Sequence, residues 1–346
     1  MVKKVTIKDL ATALDVSIGT VDRALHNRPG INAETRERVL AQAKIMGYET
    51  NLIARSLSRK HQLRIGCVFP AEYRFYPDIE AGINAAYESL VDHNVQIISM
   101  KTERLADGKE ADCVYRLLDI GIHGLAICPG HRSLLNDAID EVVDAGIPVV
   151  TIATDAPESK RLTCVSTDSF NNGQIAGDLM VNLLNQGGRV AIINGYWEVT
   201  DHSEKVRGFM DAINLEGYGI EVVDIIETGD DPDIAFEETK ALLNRDIDGI
   251  YVNTASATLG CGRALAESQQ FRDIRLLGTD LLKDSIPYIE QGIVRAVIFQ
   301  DPFMQGYRAI RILFDAITTN RSYGPTDFMR PTIITKHNIP YFQCYS

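Results

Sequence analysis

No apolar run in this sequence approaches the roughly 18 residues that a membrane span requires, which argues against a membrane-embedded protein. The six cysteines (67, 113, 128, 164, 261 and 344) include no Cys-x-x-Cys pair, so neither a zinc ribbon nor a disulfide framework is indicated. Most sit inside apolar runs such as Ile65-Gly-Cys-Val-Phe69 and Leu125-Ala-Ile-Cys128, and read as small buried hydrophobes in a reducing cytosol. Gly-x-Gly-x-x-Gly, Gly-x-x-x-x-Gly-Lys-Ser/Thr, Gly-x-Ser-x-Gly and paired histidines at ligand spacing are all missing. The expectation is therefore a protein that is not an enzyme and that carries no cofactor or metal. No repeat period, low-complexity tract or signal-peptide pattern is present, and a cytoplasmic location is expected.

What is present is a strong charge asymmetry. The 346 residues carry a net charge of −12, yet residues 1–62 hold eleven basic and six acidic side chains, a balance of +5, while the remainder stands at −17. A basic head on an acidic body suits contact with phosphates through one end only, with an affinity that falls steeply with salt.

The basic end has the pattern of a helix-turn-helix. Thr6 and Asp9 form a capping-box-like start, and Ile7, Leu10, Ala11 and Leu14 recur at helical spacing. Asp15-Val16 makes a turn and Ser17 caps a second helix, in which Val21, Ala24 and Leu25 face inward. That leaves Ile18, Gly19, Asp22 and Arg23 pointing elsewhere, on the helix that normally enters the major groove. A third helix begins at Asn32, buries Val39, Leu40, Ala43 and Met46, and ends at Gly47. The stretch from Asn51 to Lys60 is amphipathic but too short to be a stable helix alone, so it is expected to order on DNA or on a second copy.

Thr-Ile-Lys-Asp-Leu-Ala, Val-Ser-x-x-Thr-Val-x-Arg, Glu-Thr-Arg-Glu-Arg-Val, Gly-Tyr and Asn-x-x-Ala-Arg-Ser-Leu follow one another through residues 5–57. In that order and spacing the segment resembles the headpiece of the LacI/GalR family of transcriptional regulators. The resemblance implies a headpiece over 1–50 and a hinge helix and linker over 51–62. It places base-reading side chains at Ile18 and Gly19, a recognition-helix arginine at Arg23, and a minor-groove wedge at Leu57. Thr6, Ser17, Thr20, Asp22, Asn51, Ala54 and Arg55 complete the expected DNA-binding set. Asp22 departs from the serine more usual there. It either accepts a hydrogen bond from cytosine N4 or pairs with Arg23 or Lys8.

From Leu63 onward short apolar runs alternate with longer amphipathic ones. Nine strand candidates (64–69, 95–100, 124–128, 148–152, 190–194, 220–226, 249–252, 276–278 and 294–299) are separated by helical patterns, which predicts parallel sheets built from βαβ units. Nine strands suit two sheets, with the break near Val165–Gly173. This stretch resembles the effector domains of the same family and the ribose-binding-protein-like periplasmic proteins. The pieces that carry the likeness are Gly82-Ile-Asn-Ala-Ala86, Thr167-Asp-Ser-Phe-Asn-Asn-Gly173, Arg207-Gly-Phe209, Gly278-Thr-Asp280 and Val297-Ile-Phe-Gln-Asp-Pro302 with Gly306. The resemblance implies a small all-α headpiece followed by an α/β periplasmic-binding-protein-like domain (63–346) of two doubly wound parallel-sheet lobes. Lobe one covers about 63–165 and 301–330, lobe two about 166–300 and 331–346, with a ligand between them.

Ligands of such sheets sit beyond the carboxyl ends of the strands. The candidates there are Phe75, Tyr76, Asp155, Trp197, His202, Thr254, Asp280 and Gln300. Phe75 and Tyr76 suit a sugar face, or else pack their loop. Asp155 and Asp280 can accept hydroxyl donors, although the family's first aspartate often lies where this chain has Ala153. His202 falls near an arginine or histidine of sugar-binding relatives, or is an exposed helix start. Trp197 stacks on the ligand or covers the cleft, and Gln300 bonds a hydroxyl or braces the hinge. The absence of a dense Arg/Lys cluster at the strand ends disfavours phosphorylated ligands. Joined together, the halves imply a regulator, most simply a repressor, of a pseudo-palindromic double-stranded DNA operator, controlled by a small sugar or polyol. Pro340–Ser346 carries no leucine heptad, which favours a homodimer over a tetramer. The alternative is a sugar-binding receptor without a DNA role.

Overall fold

The chain divides into two units, Met1–His61 and Gln62–Ser346. The computed structural model describes residues 7–25, 30–46, 62–71, 75–103, 108–215, 218–268, 273–319 and 321–342.

In the first unit, helices α1 (Ile7–Leu14), α2 (Ile18–Leu25) and α3 (Ala33–Ile45) enclose a core of Leu10, Ala11, Val21, Ala24, Val39 and Ala43. The turn between α1 and α2 places Asp15 at φ 51°, in the left-handed region, and is closed by Val16 N–H donating to the Ala11 carbonyl at 3.0 Å. Ser17 Oγ accepts from the Thr20 amide at 3.1 Å and so caps α2; Asn32 Oδ1 caps α3 by accepting from the Thr35 amide at 2.7 Å. Leu40 departs from the sequence reading. It is 46% exposed, because Val39 and Ala43 take the inward face and Leu40 lies about 100° round the helix from Val39. The expected contributions of Thr6 and Gly47 lie outside the described residues.

The second unit runs β1 (Leu63–Pro70), α4 (Tyr76–Ser89), β2 (Val95–Thr102), α5 (Glu110–Ile120), β3 (Gly124–Ile127), α6 (Asn136–Asp144), β4 (Val149–Ile152) and β5 (Thr163–Thr167). It continues α7 (Ser169–Leu183), β6 (Gly187–Asn194), α8 (Thr200–Leu215), β7 (Gly219–Glu227), α9 (Pro232–Leu242), β8 (Gly249–Val252), α10 (Ala255–Glu267), β9 (Arg275–Thr279), α11 (Ile286–Glu290) and β10 (Val294–Phe299). Helix α12 (Pro302–Thr319) and strands β11 (Thr326–Met329) and β12 (Thr332–Ile334) follow.

The strands form two six-stranded sheets, β11-β5-β4-β3-β1-β2 and β12-β10-β9-β8-β6-β7. Every pairing is parallel except β12 with β10. Strands β3, β4 and β8 are buried along their whole length, as sheets covered by helices on both faces require. Each lobe accordingly has a core on either side of its sheet.

Three strands escaped the sequence reading. β5 is Thr-Cys-Val-Ser-Thr, too polar to stand out, and β11 and β12 are short edge strands with half-exposed side chains. The antiparallel β12 is likewise absent from a reading based on βαβ units alone. The chain passes between the sheets three times: from β5 into α7, from β10 into α12, and from β11 to β12.

Beside the first two passages, pairs of helices approach unusually closely. A Cβ on Gly82 of α4 would overlap the carbonyl of Phe303 in α12, and one on Gly306 of α12 would overlap that of Ile79 in α4. The other lobe repeats the device: Gly173 of α7 meets the Lys205 carbonyl of α8, and Gly208 of α8 meets the Phe170 carbonyl. Only glycine permits such reciprocal backbone contact.

Candidate functional site

The carboxyl ends of the two sheets face each other across a cleft of about 500 Å³, measured to its open mouth. Lobe one lines it with Phe75, Tyr76, Ala153 and Thr154. Lobe two contributes Val199, Asp201, His202, Lys205, Asp230, Asn253, Thr254, Ala255, Thr279 and Asp280, and Gln300 lies at the second passage between the lobes.

Charge in this cleft is buried and mostly committed. Lys205 is 2% exposed; its ammonium donates to Asp201 Oδ2 at 2.6 Å and to the Asn253 carbonyl at 3.3 Å. The other Asp201 oxygen accepts from Ser169 Oγ at 2.6 Å. The Asn253 amide is held at both ends, donating to Asn194 Oδ1 and the His202 carbonyl and accepting from the Gly195 amide. These residues form the floor that fixes the lysine.

Asp280 directly follows β9 and Asp230 lies shortly beyond β7, both in left-handed conformations, with φ of 59° and 56°. Burial pushes the Asp230 carboxyl up to about 6, against the opposing pull of the Ser256 and Ala257 amides, which donate to Oδ1 at 3.0 and 3.1 Å. Burial also raises Asp280 to about 7, opposed by Lys205 and by Gln300. The Gln300 amide N–H donates to Asp280 Oδ1 and its side-chain Nε2 to Oδ2, both at 2.8 Å. His202 moves the other way. Burial depresses it to about 4, so it is neutral at pH 7, and its Nδ1 accepts from the Tyr196 amide at 2.9 Å. The proton of the neutral ring is then on Nε2, as a donor.

Six of the eight expected ligand residues line the cleft: Phe75, Tyr76, His202, Thr254, Asp280 and Gln300. Gln300 is also the hinge brace of the two options, since its Oε1 accepts from Thr167 Oγ1 at 3.0 Å while Nε2 holds Asp280. Asp155 is not among the lining residues. Its carboxylate is taken by a two-pronged ion pair with Arg161 and by Thr151 Oγ1 and the Ala156 amide. Trp197 is not among them either; it is 43% exposed, and its amide donates to Glu227 Oε2 at 2.9 Å.

Sequence reading missed Thr154, Asp201, Lys205 and Asp230. Asp230 follows a strand and was open to the strand-end rule. Asp201 and Lys205 stand four apart on a helix, the spacing of an ordinary surface ion pair, and nothing local distinguishes a buried one.

In the headpiece, Ile18 is 46% exposed at the start of α2, with Gly19 and Thr20 beside it and Arg23 exposed one turn on. Thr20 Oγ1 lies 2.8 Å from Ser17 Oγ. Asp22 lies within α2, and Thr6, Asn51, Ala54, Arg55 and Leu57 lie outside the described residues. Among the described residues no group of three His, Cys, Asp or Glu side chains is placed to hold a metal, and no helix is long and apolar enough to cross a membrane. The cleft thus offers carboxylates, a neutral imidazole donor, hydroxyls and two aromatic rings, a set that matches hydroxyl groups on a small ring.

Residues 67–321 match the model of the periplasmic binding protein domain, and residues 6–51 that of the lacI family of bacterial regulatory proteins. The chain is 26% identical to the catabolite control protein A of Priestia megaterium, over 74% of this chain and 76% of that one. It is 23% identical to the HTH-type transcriptional repressor PurR of Pasteurella multocida, over 96% and 98%. In fold, the second unit is similar to an ABC transporter solute-binding protein from Burkholderia graminis solved in complex with D-arabinose. The TM-score is 0.77 at 20% identity, covering 82% of this chain and 99% of that one.

Proposed function

The chain belongs to the lacI family of bacterial regulatory proteins, a DNA-binding transcriptional regulator whose body is a periplasmic-binding-protein-like effector domain, and from that premise we propose that it is a cytoplasmic, homodimeric repressor relieved by a neutral sugar or polyol. The observation that carries the reading is the buried polar cleft between two lobes on the same chain as the helix-turn-helix. The ionised carboxylates of Asp230 and Asp280 accept from hydroxyl donors and repel anions, and Lys205 in the cleft is already paired with Asp201. Phe75 and Tyr76 supply the rings against which the C–H face of a sugar packs. The ring pair itself is edge-to-face, with centroids 5.5 Å apart.

Ligand couples to DNA through the arrangement of the lobes. A guest that touches both walls gains contacts only when the lobes are together, so it shifts their equilibrium. In a dimer that shift alters the spacing of the two headpieces presented to the operator's half-sites. The coupling between ligand and operator is then reciprocal and typically about 1–3 kcal/mol, or roughly 5- to 150-fold in affinity. A receptor without a DNA role would account for 63–346 and leave the headpiece without a use.

The test is operator selection with the full-length protein, followed by fluorescence anisotropy on the selected duplex while neutral sugars and polyols are titrated. Operator affinity is expected to fall by at least fivefold with the cleft's ligand. A ligand that binds the body and leaves operator affinity unchanged refutes the coupling. A ligand that tightens operator binding refutes relief while retaining the coupling.

A further inference from the structure

The carboxylates of Asp201, Asp230 and Asp280 all line the cleft, and among the described lining residues Lys205 is the one side chain that carries positive charge. His202 brings none, because burial keeps its ring neutral at pH 7. The lysine is committed to Asp201 at 2.6 Å, in a pair that is 2% and 10% exposed. Asp230 and Asp280 are therefore buried without a cation of their own among the described residues.

The two are not equivalent. Asp280 has both oxygens occupied, Oδ1 by the Gln300 amide and Oδ2 by Gln300 Nε2. Asp230 uses one. The Ser256 and Ala257 amides, in the first turn of α10, both donate to its Oδ1, and no donor among the described residues reaches Oδ2. The hydroxyls of Thr254 and Ser256 stand beside this carboxylate and favour its ionised form, yet neither completes a hydrogen bond. Thr254 is 4% exposed and opens on the cleft. A bare carboxylate oxygen and an unpartnered hydroxyl, buried side by side, are unfavourable until a donor arrives.

A neutral hydroxyl is one such donor, but an ammonium offers three and also the charge that this corner lacks. A bare metal ion would need a shell of oxygen ligands, and among the described residues no group of three His, Cys, Asp or Glu side chains is placed to supply one. The rings of Phe75 and Tyr76, on the other lobe, present faces of negative partial charge that suit a cation as well as the C–H face of a sugar.

We propose that the cleft prefers a cationic member of the sugar and polyol class, a ring in which one hydroxyl is replaced by a protonated amine, with the ammonium seated on Asp230 Oδ2 beside Thr254 Oγ1. This rests on the reading of the guest as a sugar or polyol and goes beyond it by one positive charge. Neutral rings still bind through the groups that accept hydroxyls. The amine puts a charge-assisted bond in place of a neutral one, a difference of roughly tenfold in affinity.

The experiment is titration calorimetry on the full-length protein at pH 7 with matched compounds: D-glucose and D-glucosamine, D-galactose and D-galactosamine, D-mannose and D-mannosamine, scyllo-inositol and scyllo-inosamine. In at least one pair the amine is expected to bind about tenfold more tightly than its parent. N-acetylation of that amine, which removes the charge, should abolish the preference. Asp230→Asn keeps an oxygen for the two α10 amides and puts a neutral NH2 in place of Oδ2, so the cap survives while the charge goes; it should abolish the preference too. Parents that bind as tightly as their amines in every pair overturn the proposal and leave the sugar reading standing. A preference that survives N-acetylation or Asp230→Asn also overturns it, since charge at Asp230 is then not what is recognised. If no member of any pair binds, the sugar reading falls and the proposal falls with it.

Discussion

Replacing Asp280 by asparagine should stabilise the effector domain in alkaline solution and leave it unable to hold its ligand. Asp280 is 2% exposed and its carboxyl is raised from 3.8 to about 7, with burial the largest cause. In the unfolded chain the group ionises near 3.8, whereas in the folded chain it keeps its proton until about 7. The folded state is therefore penalised increasingly as pH rises from about 4 to about 7, and by a constant amount above that. At pH 8 the penalty amounts to about 4 kcal/mol. At pH 5, where the folded group is still protonated, it is about 2 kcal/mol.

Asparagine carries no such penalty, but its amide nitrogen cannot accept from Gln300 Nε2, a loss of about 1–2 kcal/mol at every pH. The difference between the two pH values removes that constant. Asp280→Asn should be about 2–3 kcal/mol more favourable at pH 8 than at pH 5, relative to the unaltered protein. Asp230 titrates in both proteins and cancels in the comparison. For a domain of this size the difference amounts to roughly 4–5 °C in melting temperature, measured by calorimetry on both proteins at both pH values. A melting difference independent of pH would show that the carboxyl does not titrate near neutrality and would refute the argument.

Three other outcomes are expected. Hydroxyl donors favour ionised carboxylates, so ligand affinity should fall as pH is lowered through 7 and 6, with protons released on binding; calorimetry at pH 6.5 in buffers of different ionisation enthalpy reads the sign, and proton uptake contradicts it. Lys205→Met strands the Asp201 carboxylate in a site where the pair is 2% and 10% exposed, and should cost about 3–5 kcal/mol in denaturant unfolding; adding Asp201→Asn should recover most of it. Gly82→Ala and Gly173→Ala each force a methyl into a facing carbonyl and should destabilise by about 3 kcal/mol, whereas Gly146→Ala, with nothing near its Cβ but φ of 82°, should lose only the backbone preference, about 1 kcal/mol.

Periodicity was enough for the alternating architecture, because the inner strands are buried throughout and their apolar runs are continuous. It failed where strands are polar or at an edge, as in Thr163–Thr167 and Thr326–Met329. Strand ends led to Asp280, Thr254 and Gln300, since position beyond a strand is a property of the chain itself. Whether a carboxylate at such a position faces the cleft or a neighbour is not. Asp155 has the right address, yet Arg161, six residues on, claims it. The Asp201–Lys205 pair shows the converse, an arrangement familiar from solvated helix surfaces that here underlies the cleft. Burial is decided by the packing of α7 on α8, which no local pattern encodes. The glycine motifs were visible as a likeness, but their reason emerges only from the facing carbonyls.

Those interlocked glycines also determine where bending is possible. On either side of the first two passages a helix is seated backbone to backbone on its neighbour, so sliding it by even an ångström drives carbonyl oxygen into α-carbon. That interlock ties each of these helices to its neighbour within one lobe, whereas at 167–169, 300–302 and 329–332 the chain runs from one sheet to the other. Any movement of one lobe against the other must therefore carry both helices of such a pair together.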